Sequence, residues 1–257
     1  MIVDKINTYL STEGKTVNQA ILDDVGSLAK YAFFRQFGVR EAKTPEIWLS
    51  SVGHCVRQQA YNLLGFTPNG KEIDSRAKMV FFQGDMTELA IIQLARQAGC
   101  DISDCGMTQA KAELDGARGR VDGILHDNGN SLVEVKSMAS YAFERFEGGD
   151  VEQFLHQTNA YMHALGLGRA VIVGLNKDSG VLHEHVLNKD LSVVDDIKKR
   201  IATIRAATKE NLPSRPFGPD EKGMLPWNCL YCAHSKTCWP NSGKVLVKGR
   251  YKLKESV

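Results

Sequence analysis

The sequence has little net charge and no long apolar run. Its 32 basic and 30 acidic side chains leave a net charge of +2, so there is no global positive field, and any argument for a polyanionic partner must come from local placement. No apolar stretch approaches the roughly 18 residues of a membrane span. In the opening MIVDKINTYL, Asp4 and Lys5 interrupt the apolar stretch too early for a signal peptide. We therefore expect a soluble cytoplasmic protein with no membrane partner.

Cysteine is also scarce, with six residues in the chain. A set of disulfides is not expected in a reducing compartment, and a metal site is the better expectation for closely spaced pairs. Three of the cysteines form the compact spacing Cys229-x2-Cys232-x5-Cys238. Three thiolates do not complete a tetrahedral or cubane site. The fourth ligand is either Cys55 or, if Cys55 is an apolar buried residue, His234.

The pattern of apolar residues changes along the chain. Up to Ala98 it is helical, and beyond that point short β-branched segments alternate with helices, which indicates an α/β or α+β sheet with helices packed on it. We expect helices at 16–37 with Thr16 as the cap, from about 50 to 65, and at 76–98, 150–165 and 191–208, and strands at 117–125, 131–138, 169–176 and 180–187. The chain is treated as one domain: a helical part (1–75), a core (76–211) and an irregular segment with a basic tail (212–257).

Three residues of the two central strands carry the strongest chemical signal. Glu134 and Lys136 lie two apart on one strand, so they share a face, whereas Val135 points into the core. Together with Asp122 they place two carboxylates and an ammonium on one face of the sheet. Carboxylate oxygens suit Mg²⁺ or Mn²⁺, and the lysine would orient or deprotonate an attacking water. The alternative is an ordinary solvent-exposed strand face, because this pattern often arises by chance.

The register of the hairpin tests this site. A two-residue turn at Asn128–Gly129 pairs residues whose numbers add up to 257. This register sets Asp122 opposite Val135, on the wrong face. An odd loop or a bulge gives a sum of 256 or 258 and sets Asp122 opposite Glu134 or Lys136. The site therefore requires the irregular turn.

Two helical pairs at a spacing of four add to the pattern. Gly84 and Glu88 share one face of the third helix. There Gly84 would allow a close approach to the sheet and Glu88 would add a third carboxylate. Gln157 and Tyr161 share a face of the helix after the central strand and would lie over the edge of the site. The alternative is a surface Glu with an incidental Gly, and a half-buried Tyr with a solvated Gln.

The ordered set Gly84/Glu88, Asp122, Glu134/Lys136 and Gln157/Tyr161 resembles the RecB-like branch of the PD-(D/E)XK nucleases, across about residues 80 to 165. The resemblance implies a restriction-endonuclease-like central mixed sheet flanked by helices. It also implies hydrolysis of DNA phosphodiesters, preferentially at single-stranded ends and hence as an exonuclease, with some endonuclease activity. Asp122, Glu134 and the Val135 carbonyl would hold Mg²⁺ or Mn²⁺, Glu88 would assist, and Lys136 would activate water. Many members carry a His at the position of Thr87, so a helper ligand is not expected there.

The segment SSVGHCVRQQAY around Cys55, with the three later cysteines, resembles iron–sulfur nucleases of the fourth CRISPR-associated protein family and of the AddB type. The spacing alone fits zinc or a cubane equally well, and the resemblance favours a [4Fe–4S] cluster held by Cys55, Cys229, Cys232 and Cys238. Such a cluster would staple the irregular segment 212–257 to the helical amino-terminal part. Cys100 and Cys105 are expected to be core or surface thiols.

The resemblance further implies a prokaryotic or phage-infected host cell, and roles in phage recombination, DNA repair or CRISPR adaptation, either as a homo-oligomer or with protein partners of those pathways. The tail GKVLVKGRYKLKES contains five cations: Lys244, Lys248, Arg250, Lys252 and Lys254. They would either contact phosphates or form a solvated basic tail. The rival interpretation from another class is a non-catalytic nucleic-acid-binding module built around a structural zinc.

Overall fold

The structure, a computed structural model, describes residues 1–39, 45–69, 74–127, 129–247 and 250–255. Within these ranges the helices are Ile2–Ser11 (α1), Gln19–Phe37 (α2), Val56–Leu63 (α3), Ser75–Gln97 (α4), Ser140–Glu147 (α5), Glu152–Ala164 (α6), Leu191–Arg205 (α7), Trp227–Leu230 (α8) and Ser235–Cys238 (α9). The strands are Ile102–Ser103 (β1), Lys111–Leu114 (β2), Ala117–Arg120 (β3), Gly123–His126 (β4), Asn130–Met138 (β5), Arg169–Asn176 (β6), Leu182–Asn188 (β7), Ser242–Val247 (β8) and Arg250–Glu255 (β9).

The central sheet has five strands in the order β1-β4-β5-β6-β7. Strands β5 and β6 run parallel, and the other neighbouring pairs are antiparallel. A parallel pair needs a long crossover, and here α5 and α6 supply it. The expected mixed sheet flanked by helices is thus confirmed.

The two faces of the sheet bury different helices. On one face, Val133 and Val135 of β5 belong to a core cluster that includes residues of α1 and α4. On the other face, Leu132 packs in a cluster that includes Ile197 and Ile201 of α7 together with residues of α6. Because side chains alternate along a strand, Glu134 lies on the side of Leu132 and α6. This alternation decides which helices can reach the site.

The amino-terminal helices differ from the expectation at their ends. The helix expected at 16–37 begins at Gln19, and its cap is Asn18, whose side chain accepts from the Ala20 and Ile21 amides, so Thr16 is not the cap. Helix α1 lies in the part that was expected to be helical, although no helix was placed at Ile2–Ser11. Its apolar face is buried against the sheet, and the Val3 amide donates to Glu184 Oε2 of β7 at 2.9 Å.

The segment 117–125 is not one strand. It is divided at Val121–Asp122: β3 pairs with β2 in a separate two-stranded sheet, and β4 joins the central sheet. The helix expected from about 50 to 65 is likewise divided. A short 3₁₀ turn spans Leu49–Ser51, and α3 then starts after Cys55, which is its cap residue. Gly65, at φ +70°, ends this region as expected.

The carboxyl-terminal segment is more ordered than expected. Strands β8 and β9 form an antiparallel hairpin, so the cations from Lys244 onward do not form an irregular tail. The hairpin packs on the preceding segment through a small core of Leu225, Cys229, Trp239 and Leu253. Lys248 lies outside the described residues. None of the helices in the described parts of the chain is long and apolar enough to cross a membrane.

Candidate active site

Strand β5 and helix α6 bring Glu134, Lys136 and Gln157 together. Lys136 Nζ donates to Glu134 Oε1 at 2.5 Å, and Gln157 Nε2 donates to the same oxygen at 2.6 Å. Lys136 Nζ also lies 3.4 Å from Gln157 Oε1. Only 2% of Glu134 is exposed, and burying a carboxylate is costly unless it is paired. The face shared by residues 134 and 136 is therefore a closed polar cluster. The alternative interpretations, a solvent-exposed strand face and a solvated Gln157, are wrong.

Asp122 joins the cluster through the register of the hairpin. Gly123 pairs with Val133 and His126 with Asn130, so paired positions sum to 256, the value that sets Asp122 opposite Glu134. Asp122 Oδ2 accepts from the Val135 amide at 2.8 Å. The required irregular turn is confirmed, although Asn128 itself lies outside the described residues.

Glu88 of α4 faces the same cluster from its edge. Its Oε1 accepts from Gln109 Nε2 at 2.8 Å. Burial raises the pKa of Glu88 to about 7, with Arg35 acting against this rise and the nearby Glu134 adding to it. The Thr87 hydroxyl donates to the Gln83 carbonyl in its own helix.

The expectation for Gly84 is wrong. A Cβ added there would meet no described atom outside its own helix within 4 Å. The residue is therefore not needed for a close approach of α4 to the sheet.

The charges of the cluster are mutually dependent. Burial raises the pKa of Asp122 well above its usual range, and the carboxylates of Glu134 and Glu88 raise it further. Burial opposes the charge on Lys136, but Glu134 and Asp122 outweigh this effect, and the pKa of Lys136 is raised. Three acids converge on one lysine, and a cation bound among them would favour their charged forms.

Tyr161 lies beneath the cluster, one turn after Gln157. It is 2% exposed, so it is a core residue and not a half-buried one. Burial raises its pKa, as do Glu134 and Asp122 to a smaller extent. Gly119 of β3 makes room for this ring: a Cβ at that position would lie 2.4 Å from Tyr161 Cε1. The absence of a side chain at residue 119 thus lets the small sheet close over α6.

The acidic cluster fits a divalent cation of the magnesium type. Glu134 Oε2 is buried and has no hydrogen-bond partner among the described residues, which is unusual for a carboxylate oxygen. In the described parts of the chain, no three His, Cys, Asp or Glu side chains stand close enough together to hold a metal ion by themselves. Mg²⁺ does not need such a set, because it binds through one or two carboxylates and keeps several waters.

The four expected cysteine ligands are neighbours in space. The Cys55 thiol is influenced by Cys238, and the Cys232 thiol by Cys55 and Cys238. Burial raises the pKa of Cys229 to about 11, with added contributions from all three of the others. Every pair within the set of four therefore interacts, across 174 positions between Cys55 and Cys229, although the thiols are not drawn together to ligand distances. Thiolates are the ligands that a thiophilic cation prefers, but the described thiols do not form a metal site by themselves, so the expected cluster stays a prediction.

His234 is the alternative fourth ligand, whereas Cys100 and Cys105 belong to another part of the core. His234 is fully buried, and its Nε2 pairs with Asn62 Oδ1 at 2.6 Å. Its backbone amide donates to Cys232 Sγ at 3.4 Å, and its Nδ1 is buried without a hydrogen-bond partner among the described residues. Cys100 is buried in the core beside α1, as expected, and Cys105 packs against the same cluster. Cys55 and His234 therefore both stay candidates for the fourth ligand of this set.

Several contacts around the site could not be read from spacing. Gln109 comes from the loop before β2, where no periodic pattern marks it. Asp85 accepts from Gln36 Nε2 at 2.6 Å and from Arg35 Nε at 3.1 Å, which ties α2 to α4 one turn before Glu88. A helical spacing of three from Glu88 was the one signal that could have indicated Asp85.

No family model matches this chain, and no curated protein matches it. Among solved structures, it resembles the one described as SSO0001, with a TM-score of 0.51 and 18% identity over 83% of this chain and 95% of that chain. This likeness concerns the fold. The chain also matches an alkaline exonuclease (LHK-Exo) from Laribacter hongkongensis, at a TM-score of 0.47 and 15% identity over 69% of this chain and 91% of that one. A phage-related exonuclease from Haemophilus somnus 129PT gives 0.32 and 12%, over 79% and 90%. Both of these TM-scores lie below 0.5, so we draw nothing about this chain from them.

Proposed function

We propose that this protein is a metal-dependent nuclease that hydrolyses DNA phosphodiester bonds, acting mainly as an exonuclease on single-stranded ends. The observation that carries the proposal is the closed cluster of Asp122, Glu134 and Lys136, in which one buried carboxylate oxygen has no partner among the described residues. A structural ion pair would satisfy all of its oxygens. A cluster that leaves one oxygen free, beside two further acids, is suited to a cation that also contacts a phosphate.

In this proposal each residue has a distinct task. Asp122, Glu134 and the Val135 carbonyl hold Mg²⁺ or Mn²⁺, with Glu88 assisting from α4. When bound, the ion supplies charge neutralisation at the phosphate and polarises a water. Lys136 holds its ammonium beside Glu134 and orients the attacking water, or accepts its proton at Nζ if the amine is neutral. Since neighbouring acids raise the pKa of Lys136, orientation is the role that the unliganded geometry supports.

Gln157 and Tyr161 position this machinery. Gln157 donates to Glu134 Oε1 and lies within reach of Lys136 Nζ, so it fixes the rotamers of both. Tyr161 holds α6 against β3 through the space at Gly119. Neither is a good ligand for Mg²⁺ next to carboxylates, so their loss should weaken catalysis and DNA positioning more than the binding of the metal.

We further propose that Cys55, Cys229, Cys232 and Cys238 bind a [4Fe–4S] cluster with a structural role. The support is the mutual proximity of the four thiols, which join the start of α3 to the segment around α8 and α9. A clip across so long a loop removes much conformational entropy from the unfolded chain. Zinc is the alternative occupant, and the metal content decides between them.

The DNA path includes the carboxyl-terminal hairpin. Arg250, Lys252 and Lys254 alternate along β9 and are all exposed, so they share one face. A row of cations at every second residue suits a phosphate backbone. Phage recombination, DNA repair and CRISPR adaptation are the processes in which such an activity would serve, as a homo-oligomer or with other proteins.

The test is cleavage of an end-labelled single-stranded oligonucleotide with Mg²⁺, with Mn²⁺ and with chelator. The expected result is metal-dependent shortening from an end, with strands labelled at either terminus giving the polarity. A circular strand should be cut slowly or not at all. Binding of DNA without cleavage under every metal condition, together with stoichiometric zinc, would instead support the non-catalytic module.

A further inference from the structure

A cluster of phenylalanine rings is exposed between α2 and α4. The ring centroids of Phe33 and Phe37 are 5.0 Å apart, and Phe82 lies 6.0 Å from Phe33 and 5.3 Å from Phe37. Despite these contacts, Phe33 is 59% exposed and Phe37 is 41% exposed. Phe34 and Phe81 flank the cluster and are also exposed. We refer to these five residues as the phenylalanine ridge.

The ridge stands away from the core of the domain. In α4 the buried residues are Leu89, Ile91, Ile92, Gln93 and Ala95. All of them lie in the carboxyl-terminal half, and none of residues 75–84 is buried. The amino-terminal half of α4 contacts α2 through the ring of Phe82, which meets Phe33 and Phe37. Its apolar residues contribute nothing to the main core, which leaves their exposure unexplained by folding.

Cations predominate around the ridge, although one of them, Arg35, is paired with Asp85 of α4. Residues 25–39 and 75–84 contain Lys30, Arg35, Arg76 and Lys78 and no acid. In a chain whose net charge is only +2, this is a local concentration of cations. Lys30 precedes Phe33 by three positions and Lys78 precedes Phe82 by four, which places each cation beside a ring on its own helix.

The ridge leads to the acidic cluster. Phe81 and Glu88 lie seven residues apart on α4, which corresponds to about 10 Å along a helix axis. Between them, Asp85 is fixed by Arg35 and Gln36 of α2, so the two helices are fastened together next to the site. A strand lying on the ridge would therefore have its end close to Glu88.

We propose that the phenylalanine ridge binds single-stranded DNA by stacking its bases, and so guides the strand to the acidic cluster. This inference rests on the proposed nuclease function for the identity of the ligand. Aromatic rings interleaved with cations suit single strands, since bases stack on the rings while phosphates meet the cations. A second copy of the chain is a poorer occupant, because a symmetric contact would oppose the same four cations to themselves.

The experiment compares two strands in the presence of chelator, where no cleavage occurs. One is a fluorescent oligothymidine and the other is an abasic strand of the same length and charge, and binding is followed by anisotropy. The native chain should bind the thymidine strand on the order of tenfold more tightly, as expected for one or more stacked bases. Phe33→Leu and Phe34→Leu, which keep an apolar surface without a ring, should lose most of this preference. Phe33→Trp should keep it.

Tyr141→Leu is the matched control, because Tyr141 is 74% exposed on α5, away from the ridge. Equal binding of the two strands by the native chain would overturn the proposal, and so would an undiminished preference in both leucine variants with native circular dichroism. Concentration-dependent self-association that the leucine variants abolish, without any base preference, would assign the ridge to a second copy. Because cleavage plays no part in this readout, a base preference without Mn²⁺-dependent cleavage would defeat the nuclease proposal and leave the ridge standing.

Discussion

The acidic cluster and the cysteine region are organised in different ways. In the cluster, a strand register and a crossover helix hold Glu134, Lys136 and Gln157 at hydrogen-bonding distance without any ligand. In the cysteine region, the four thiols are neighbours, but a small core around Leu225 and Trp239 holds the segment. The first site is preformed by the fold, whereas the second, in our proposal, would need its ligand to be completed. We therefore expect that removing the metal leaves the structure of the acidic cluster unchanged and loosens the cysteine region.

The largest effect is expected from Lys136→Ala. Removing the ammonium leaves the acids without their lysine and the water without its orienting group, so cleavage should fall by at least about 100-fold. The circular dichroism spectrum should stay native, since the sheet positions residue 136 and not the reverse. The control is Lys177→Ala, an exposed lysine after β6, which should cleave normally. Mg²⁺-dependent cleavage at the native rate by Lys136→Ala would remove the proposed site.

Replacing a cysteine ligand should change the local structure as well as the metal content, unlike Lys136→Ala. Cys55→Ser and Cys232→Ser should lose iron and the brown colour, and hydrogen exchange should speed up in β8 and β9 while β5 and β6 stay protected. Cys100→Ser and Cys105→Ser are the controls and should keep the full iron content of anaerobically purified protein. Stoichiometric zinc without iron would exclude the cluster but keep the four ligands. Full iron in Cys55→Ser would show that residue 55 is not among them.

A smaller effect should follow from Gly119→Ala, which tests how closely the fold is packed around the preformed site. The added methyl would collide with Tyr161, so the free energy of unfolding should fall by about 1–3 kcal/mol. Gly243→Ala in β8 is the matched control, because its Cβ would meet nothing within 4 Å among the described residues. The double variant Gly119→Ala/Tyr161→Leu should recover part of the stability in denaturant unfolding. Equal stability of the two glycine variants would contradict this packing.

The smallest effect concerns the cations of β9. Lys252→Ser/Lys254→Ser should weaken single-strand binding, and the slope of log affinity against log salt should fall by about 0.7 for each phosphate that is no longer neutralised. Lys177→Ser/Lys199→Ser removes the same charge from exposed sites elsewhere and should leave the slope unchanged. Equal slopes in the two double variants would assign the hairpin cations to solvent.

The sequence predicted the site better than it predicted the fold around it. Glu134 and Lys136 could be placed on one face because side chains alternate along a strand. Asp122 could be added only through the resemblance, because the sequence left the hairpin register open, and the structure supplies that register. The break at Val121–Asp122 could not, because nothing local distinguishes β3, which pairs with β2, from the start of β4. The hairpin β8–β9 was missed for another reason: of its described residues, Leu253 alone enters the small carboxyl-terminal core, so its sequence has the composition of a solvated tail. The contact between Gln109 and Glu88 could not be predicted either, because it arises through tertiary packing alone.

The parallel pairing of β5 with β6 has a consequence for the order in which the chain folds. These strands are joined only after α5 and α6 have crossed over, and Gln157 lies within that crossover. Closing such a loop is slower than forming a hairpin, because its entropy is given up before its contacts form. The hairpin of β4 and β5 can bring Asp122 and Glu134 together early, but the partner that orients them arrives with the crossover. A partly folded chain would therefore bear the acids without the working site, and activity should appear in refolding only with the slow phase.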